Sequence, residues 1–243
     1  MTAQMDFVGV DGCRAGWFWI GLDASGRHEA GIARTTEQLA AIAQAAKLVL
    51  IDIPIGLRDQ SMQERLCDLE ARRVLERPRG SSVFPAPTRP ALYARSYEEA
   101  CEINSRICGR RLSRQTWGIV GKIRSIDELL RSRPDLRPIV RECHPEVCFW
   151  SLNGKRPMSG NKKRRAGRMD RLAVLKKVFP EAESVVEAAA GKYERKEVAW
   201  DDIIDALVTA VSAKFEYGRL RTLPAEPERD SFGLPMEIVF AEL

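Results

Sequence analysis

The sequence FVGVDGCRAGW, residues 7–17, decides the fold. A short apolar run containing β-branched Val8 and Val10 indicates a buried strand, and this strand leads directly to Asp11. Residues 17–22 are again apolar and predict a second strand, so the chain opens with a β-hairpin that carries an acid at its edge. Because aspartate also stabilises ordinary turns through local backbone hydrogen bonds, a functional role for Asp11 depends on the other acids of the chain.

A second strand-end acid follows residues 48–51, which read Leu-Val-Leu-Ile and are followed by Asp52 and Pro54. A run that is apolar on both faces is typical of a central strand in a covered sheet. Ligands of open α/β sheets bind outside the carboxyl ends of such strands. We therefore expect Asp52 to reach a ligand site, the alternative being a strand-end aspartate with a purely structural role.

The third acidic stretch is a helix near the end of the chain, residues 200–211. Asp202 and Asp205 are three residues apart and share one face of this helix. Apolar residues occupy most of the remaining circumference, which predicts a buried helix whose acids enter an interior cleft. An acid in the first turn also complements the helix dipole. That explanation accounts for Asp202 but not for Asp205, which lies deeper in the helix.

Four carboxylates from two strand ends and one helix indicate a metal site. Oxygen ligands of this kind suit Mg²⁺ or Mn²⁺, and paired ions roughly 4 Å apart activate water for in-line displacement at phosphorus. The sequence therefore predicts that metal binding and catalysis involve Asp11, Asp52, Asp202 and Asp205. Glu142, His144 and Glu146, at the exit of another predicted strand, are further candidates as a ligand, a general base or a substrate contact.

The basic residues predict how a polyanionic substrate could be held. Residues 155–171 carry eight lysines and arginines against one acid, a run that is either a solvated loop or a phosphate-contacting segment. The whole chain has a net charge of +5, which permits a nucleic-acid partner without requiring one. The residues predicted to bind the substrate are Arg14, Arg89, Lys122, Lys162, Lys163, Arg164 and Arg165.

Length and composition favour one large domain. The chain has 243 residues, of which 44% are apolar, and this suits a single domain over residues 1–243 with an insertion. Residues 60–133 turn helical and basic, and we expect them to form a helical insertion that begins with an amphipathic helix over residues 62–75. Its apolar positions Met62, Leu66, Leu69 and Leu75 are expected to face inward.

Cysteine usage and hydropathy predict the compartment. Six cysteines occur without an apolar signal segment before them, so reduced thiols in a cytoplasmic protein are expected. No apolar stretch approaches about 18 residues, which argues against a membrane span. The sequence permits a homodimer but does not define one.

Five motifs in order resemble a known family. VGVDGCRAGW, DIPIGL, SSVFPAP, HPEVCF and DDIIDA together resemble the bacterial family called domain of unknown function 429, and the likeness covers nearly the whole chain. The order of strand-Asp, strand-Asp and helix D-x-x-D-A is also similar to the ribonuclease H-like superfamily and to Holliday-junction resolvases of the RuvC type.

This resemblance implies an α/β fold, with a ribonuclease H-like mixed sheet flanked by helices and a helical insertion after the fourth strand. It further implies a metal-dependent nuclease or related phosphodiester hydrolase that uses Asp11, Asp52, Asp202 and Asp205. Resolvase-like enzymes usually have glutamate at the second of these positions, so the shorter Asp52 is a departure that bears on the second metal ion.

Two other classes of function stay open at this stage. A non-catalytic nucleic-acid-binding protein would keep the fold but pair its acids with the abundant arginines. An ATP-dependent phosphotransferase of the actin-like class also opens with strand-Asp-Gly. Such phosphotransferases normally need two such domains and glycine-rich phosphate loops, neither of which is visible in the sequence. Convergence of the four aspartates in an unpaired cleft would favour the nuclease.

Overall fold

The central sheet of the computed structural model, which describes residues 4–215 and 219–242, explains where the acids lie. Five described strands pair in the order β3-β2-β1-β4-β5. The pairs β1–β2 and β2–β3 are antiparallel, whereas β1–β4 and β4–β5 are parallel. The strands are β1 (Phe7–Cys13), β2 (Gly16–Leu22), β3 (His28–Ala33), β4 (Leu48–Ile51) and β5 (Val140–Glu142).

Helices surround this sheet and confirm the α/β class. Two of the helices begin at side chains that cap them: Thr35 accepts from the N–H of Gln38, and Ser113 accepts from the N–H of Thr116. The helices of the described residues are α1 (Thr36–Ala45), α2 (Leu66–Arg79), α3 (Tyr97–Cys108), α4 (Arg114–Ser132), α5 (Pro145–Leu152), α6 (Arg165–Lys176), α7 (Ala182–Lys192) and α8 (Trp200–Phe215).

Each face of the sheet has its own apolar core. Val8 and Val10 of β1 point to one face, where they pack with α1, α3 and α4. Leu48 and Leu50 of β4 point to the other face, where α5, α6, α7 and α8 cover them. The segment over residues 60–133 therefore contributes α3 and α4 to the core on the Val8 and Val10 face of the sheet. In the described part of the chain, no helix has the length and apolar character needed to cross a bilayer.

A third, smaller core joins α2 and α5 to a second sheet. That sheet is an antiparallel pair of β6 (Arg221–Arg229) and β7 (Pro235–Phe240). Its strand β7 meets the central sheet through a bridge between Cys143 and Val239. The hairpin thereby closes the edge of the central sheet beyond β5.

The amphipathic helix predicted over residues 62–75 differs from α2 in its buried face. Only Leu75 of the four expected apolar positions is buried, while Met62, Leu66 and Leu69 are exposed. The helix begins at Leu66 and buries positions spaced four apart, which lie on one stripe. These positions are Cys67, Ala71 and Leu75. The predicted inward face is therefore wrong, because the buried stripe is shifted by about one residue along the chain.

Candidate active site

A glycine on β1 sets the distance between the sheet and α8. A Cβ at Gly9 would lie 2.1 Å from the carbonyl oxygen of Ala206 and 2.2 Å from the amide nitrogen of Ala210. Only glycine therefore lets α8 rest directly on β1. Because side chains alternate along a strand, Asp11 faces the same side as Gly9. The helix thus places Asp205, one turn before Thr209, near the carboxyl end of β1.

Asp11 and Asp52 are neighbours at the ends of two parallel strands. Val10 and Ile51 are register partners, and the N–H of Asp52 donates to the carbonyl oxygen of Val10 at 3.0 Å. Alternation from Leu48 and Leu50 turns Asp52 toward the α8 face as well. Strands in a sheet lie about 4.8 Å apart, so the two carboxylates extend from adjacent positions into the same space.

The charges of these acids repel one another. Burial raises the pKa of Asp11 well above its usual value, and the neighbouring charges of Asp52 and Asp205 raise it further. Burial likewise raises the pKa of Asp52. Burial raises the pKa of Asp205 to about 6 although a lysine beside it acts in the opposite direction. Raised pKa values show that carboxylate charge is unfavourable here, and a bound cation would relieve that cost.

Lys162 is the cation that contacts this cluster. Its ammonium donates to Asp205 Oδ2, and Asp205 is only 1% exposed. Burial alone would lower the pKa of Lys162, but the charges of Asp205, Asp11 and Asp52 raise it above its usual value. Lys162 belongs to the basic run that the sequence assigned to substrate phosphates. In this structure it neutralises part of the acidic cluster instead.

Asp202 takes a more peripheral position. It is half-buried in the first turn of α8, where its Oδ2 accepts from the N–H of Ala199 at 2.8 Å. Burial raises its pKa, and its charge in turn acts on Asp11. Asp202 therefore binds the backbone at the start of α8, and its charge acts on Asp11 more weakly than those of Asp52 and Asp205.

A cavity of about 240 Å³ opens in front of the cluster. Asp11, Asp52 and Lys162 line it, together with His144 and Glu146 at the start of α5. Within the described part of the protein, His144 Nδ1 and Glu146 Oε2 are buried without a hydrogen-bond partner. Because buried polar atoms are normally paired, these two atoms indicate that the cavity receives a polar ligand.

A buried arginine fixes the loop that carries Lys162. Arg171 is fully buried and donates to the carbonyl oxygens of Gly160 at 3.0 Å and Gly167 at 2.9 Å. The same guanidinium donates to Glu146 Oε1 at 2.5 Å. One side chain therefore connects the Lys162 loop with the glutamate in the cavity wall.

Glu142 differs from the other acids because its partners are complete. Arg65 donates to both of its carboxylate oxygens at 2.8 Å, and the N–H of Ile55 donates at 2.6 Å. The same arginine pairs with Asp68. Burial still raises the pKa of Glu142 to about 7. Although Glu142 lines the cavity, it is held by this network rather than free to bind a ligand.

Apart from Lys162, which contacts Asp205, the predicted substrate-binding residues separate into three groups. Arg14, Lys163, Arg164 and Arg165 are exposed. Lys122 lines the cavity and donates to the carbonyl oxygen of Gly16 at 2.5 Å.

Arg89, by contrast, is 4% exposed and forms ion pairs with three aspartates, namely Asp59, Asp127 and Asp230. A phosphate could reach Arg89 only if these ion pairs were broken. The structure therefore gives Arg89 a structural place in the fold.

The donor chemistry fits a divalent cation, but the ligands are not gathered around one point. Asp11, Asp52 and Asp205 supply the hard oxygen atoms that Mg²⁺ and Mn²⁺ prefer. Across residues 4–215 and 219–242, however, no three His, Cys, Asp or Glu side chains are arranged to hold a metal. Lys162 engages Asp205, so a metal that used this carboxylate would have to displace or share that ammonium.

Sequence reasoning named Glu146 as a candidate ligand, general base or substrate contact, but it missed Arg171 and Gly9. The H-P-E motif drew attention to Glu146, yet only the unpartnered Oε2 atom distinguishes it from a structural acid. Arg171 is hidden within a basic run that reads as solvated. The glycine in an otherwise apolar strand was the available signal for Gly9, because such a glycine often marks the close approach of another backbone.

The fold and the site define an α/β protein with two half-buried aspartates at the carboxyl ends of two parallel strands and a buried aspartate on the helix beside them. A family model described as "Protein of unknown function (DUF429)" matches residues 9–229. The chain therefore belongs to this family, as its five motifs led us to expect. Comparisons with curated proteins and with solved structures gave no match.

Proposed function

We propose that this protein is a metal-dependent phosphodiester hydrolase, a nuclease that uses Mg²⁺ or Mn²⁺. The observation that carries the proposal is the electrostatic contact of three aspartates: the charges of Asp52 and Asp205 raise the pKa of Asp11, and the charge of Asp52 also raises that of Asp205. Lys162 bonds Asp205 alone. Uncompensated negative charge in a buried site costs stability. Groups whose pKa values are perturbed in this way concentrate at active sites. The mixed sheet and the strand-end positions of two acids further support the ribonuclease H-like resemblance.

In this proposal Asp11, Asp52 and Asp205 hold the metal, and Asp202 assists from the start of α8. A bound divalent ion would activate a water and stabilise the leaving oxygen of the phosphodiester. His144 and Glu146 face the same cavity, and the unpartnered Glu146 Oε2 is suited to accept the proton of the attacking water. Arg171 orients this glutamate through its other oxygen.

The exposed basic residues Lys163, Arg164 and Arg165 are proposed to hold the backbone of DNA or RNA beside the cavity. They follow Lys162 directly in sequence, so a strand bound along them would lie next to the acidic cluster. Counterion release from such contacts supplies most non-specific affinity for nucleic acid. All six cysteines are free, which supports the proposed cytoplasmic location.

The Lys162–Asp205 ion pair favours a second candidate, a nucleic-acid-binding protein without catalysis. A lysine that permanently neutralises the cluster would take the place of the metal. The two proposals differ in what happens to Asp205 when Mg²⁺ is added. In the nuclease the ion competes with Lys162, whereas in the binding protein the ion pair persists.

The decisive experiment incubates the purified protein with single-stranded, duplex and branched DNA, RNA and RNA–DNA hybrid. Each substrate is tested with Mg²⁺, with Mn²⁺ and with EDTA. We expect cleavage of at least one substrate with Mg²⁺ or Mn²⁺ and none with EDTA. Thermal unfolding of the wild type should also shift upward with metal concentration, because a ligand that binds only the folded state stabilises it by mass action.

Two variants provide the controls. Asp52→Asn should abolish cleavage and reduce the metal-dependent shift. Asp201→Asn should retain both, since Asp201 lies on α8 but the charges that raise the pKa of Asp11 come from Asp52, Asp205 and Asp202. Oligonucleotide binding without cleavage under any metal condition, together with no thermal shift, would contradict the nuclease and support the binding protein.

A further inference from the structure

A second cavity lies beside the acidic site and is not used by the proposed chemistry. Its volume is about 140 Å³. The loop over residues 81–88 runs along both cavities: Ser82, Val83 and Phe84 line the first, and the residues from Phe84 to Thr88 line the second. Phe84 is therefore common to the two walls, and the cavities are neighbours.

Helix α4 also borders both cavities. Thr116 in its first turn lines the second cavity, whereas Ile119 and Lys122 line the first. With a rise of 1.5 Å per residue, Thr116 and Lys122 are separated by about 9 Å along the helix axis. The two cavities thus lie one after the other along α4 and the 81–88 loop.

One part of the wall of the second cavity is apolar and stiff. It includes the ring of Phe84 and the prolines Pro85 and Pro87, with Leu112 at the start of α4. The loop is also tied down, because the N–H of Thr88 donates to Asn104 Oδ1 at 2.8 Å. A narrow space between a phenyl ring and proline rings suits a flat, partly apolar group.

One buried polar atom in this cavity lacks a partner. Thr88 is 2% exposed, and among the described residues its Oγ1 makes no hydrogen bond. Asn104 cannot serve it, since both ends of that amide are occupied by the Thr88 N–H and the Arg110 carbonyl oxygen. A buried hydroxyl without a partner costs stability, and a hydrogen-bonding ligand would complete it.

Positive charge stands at the mouth of the cavity. Arg110 and Arg111 are exposed and line its wall. Arg110 pairs with Glu64, whereas no ion pair involves Arg111 among the residues that the structure describes. A guanidinium at the entrance of an apolar slot suits a ligand that joins a flat ring to an anionic group.

From these features we infer that the second cavity is a nucleobase subsite, which takes one unstacked base of a strand whose neighbouring phosphate lies in the acidic cavity. This inference rests on the proposed function for the position of that phosphate. The base stacks on Phe84, its edge bonds the Thr88 hydroxyl, and Arg111 contacts the backbone. Proteins that recognise single strands combine stacking on aromatic rings with basic side chains in this manner.

Thr88→Val is the most informative variant. It keeps the shape of the side chain and removes a hydroxyl that bonds nothing in the free protein, so the fold should be at least as stable as that of the wild type. Binding of short, labelled homo-oligonucleotides of each base, as DNA and as RNA, is measured by fluorescence anisotropy in EDTA. We expect the affinity for the preferred base to fall roughly three- to tenfold, with a smaller change for the other bases.

Phe84→Leu provides a second, larger effect, because loss of base stacking should weaken oligonucleotide binding about tenfold or more. Thr36→Val is the matched control for Thr88→Val, since Thr36 lies on α1 and lines neither cavity. Free mononucleotides are titrated in parallel. Weak mononucleotide binding beside strong oligonucleotide binding supports a strand as the source of the base.

The outcomes separate the subsite from the nuclease. If the wild type cleaves nucleic acid but Thr88→Val binds every base as the wild type does, the subsite is wrong and the nuclease stands. If no cleavage occurs but base preference disappears in Thr88→Val, the nuclease is wrong and the subsite stands. Absence of oligonucleotide binding by the wild type, or equal binding of mononucleotides and oligonucleotides, overturns the inference.

Discussion

Two groups of buried acids at the same end of the sheet differ in how their charge is balanced. Glu142 and Asp68 share Arg65, whose guanidinium also donates to the carbonyl oxygen of Ile55 at 2.9 Å. In the other group, Asp205 pairs with the ammonium of Lys162, and the side chain of Asp52 makes no hydrogen bond or ion pair among the described residues. In the first group the guanidinium of Arg65 pairs with both acids, whereas Asp52 of the second group faces a cavity.

The comparison teaches that burial of acids does not by itself identify a site. Burial raises the pKa of Glu142 as well as that of Asp205. The difference lies in the partners, since a guanidinium with bidentate geometry fixes an ion pair, while a lysine on a loop is a mobile point charge. Removing the partner should therefore damage the first group, and removing an acid should relieve the second.

Arg65→Ala should have the largest effect on stability. It leaves Asp68 and Glu142 buried without their common cation, and breaking a buried ion pair in this way costs about 3–5 kcal/mol. Urea denaturation at pH 7 measures the loss. Arg73→Ala on the same helix serves as the control, because Arg73 lines neither cavity and should change stability by less than about 0.5 kcal/mol. Equal stability of Arg65→Ala and the wild type would show that the network is not structural.

Gly9→Ala should have the next largest effect, and it tests the geometry of the open group. The added Cβ would lie 2.1 Å from backbone of α8, so the helix must move away from β1. Overpacking of this kind costs about 1–3 kcal/mol, and the displaced Asp205 should reduce metal-dependent cleavage as well. Stability is measured by urea denaturation and activity by the nuclease assay.

Gly118→Ala on α4 is the matched glycine control. A Cβ there would meet nothing within 4 Å, and alanine in a helix is favoured over glycine by about 0.5–1 kcal/mol. A gain in Gly118→Ala beside a loss in Gly9→Ala assigns the effect to the contact with α8. If both variants gain stability, α8 does not need the close approach.

Local sequence rules predicted the elements that carry their own signals. Strands β1 and β4 are apolar runs that lead into aspartates, and α4 begins at a serine cap, Ser113. Helix α7 and strand β6 were not predicted. The alanine-rich helix has a weak apolar periodicity, and β6 contains two prolines and alternates poorly. Both elements form because they have tertiary partners, which a sequence window does not contain.

The candidate site was predictable only in part, for a related reason. Asp11, Asp52 and Asp205 follow from strand ends and helical phase, because those rules act within about ten residues. The pairing of Lys162 with Asp205 joins residues 43 positions apart in sequence. The bond of Arg171 to Glu146 spans 25 positions. Within a basic run, no local pattern distinguishes the lysine and the arginine that turn inward from their exposed neighbours.

The pH dependence of stability should distinguish Asp52→Asn from the wild type. A carboxyl group whose pKa is raised by folding binds more protons in the folded state than in the unfolded state. The contribution of such a carboxyl group to stability is therefore greatest below about pH 4, and it is lost as the pH rises through the pKa of the folded state. That pKa is about 6 for Asp205 and about 7 for Glu142.

Asp52→Asn removes one of the mutually repelling charges and should gain roughly 0.5–2 kcal/mol at pH 8. The gain should shrink toward zero near pH 4, where the carboxyl groups of both proteins are protonated. Urea denaturation from pH 4 to pH 8 gives this difference directly, and the Glu142 contribution cancels because both proteins contain it. A loss of stability in Asp52→Asn at pH 8 would mean that Asp52 has a structural partner after all.

The smallest effect on stability is expected outside both groups, in the exposed residues beside Lys162. Replacing Lys163, Arg164 and Arg165 together by alanine should change the free energy of unfolding by less than about 0.5 kcal/mol. If each contacts one phosphate, however, the slope of log binding constant against log salt should fall by about 2–3 in total. A control that replaces Lys176, Lys177 and Lys192 removes the same charge from other exposed positions and should leave most of the slope intact.

Lys162 is the reference residue for this comparison, because it belongs to the same basic run but is already paired with Asp205. Lys162→Met should leave the salt dependence of oligonucleotide binding in EDTA close to that of the wild type, since the ammonium is not available to phosphate. Its removal should instead strengthen Mg²⁺ binding, measured by thermal shift, by freeing Asp205. If Lys162→Met lowers the salt slope as the triple replacement does, the ammonium leaves the cluster to bind phosphate, and the division between the inward lysine and its exposed neighbours is wrong.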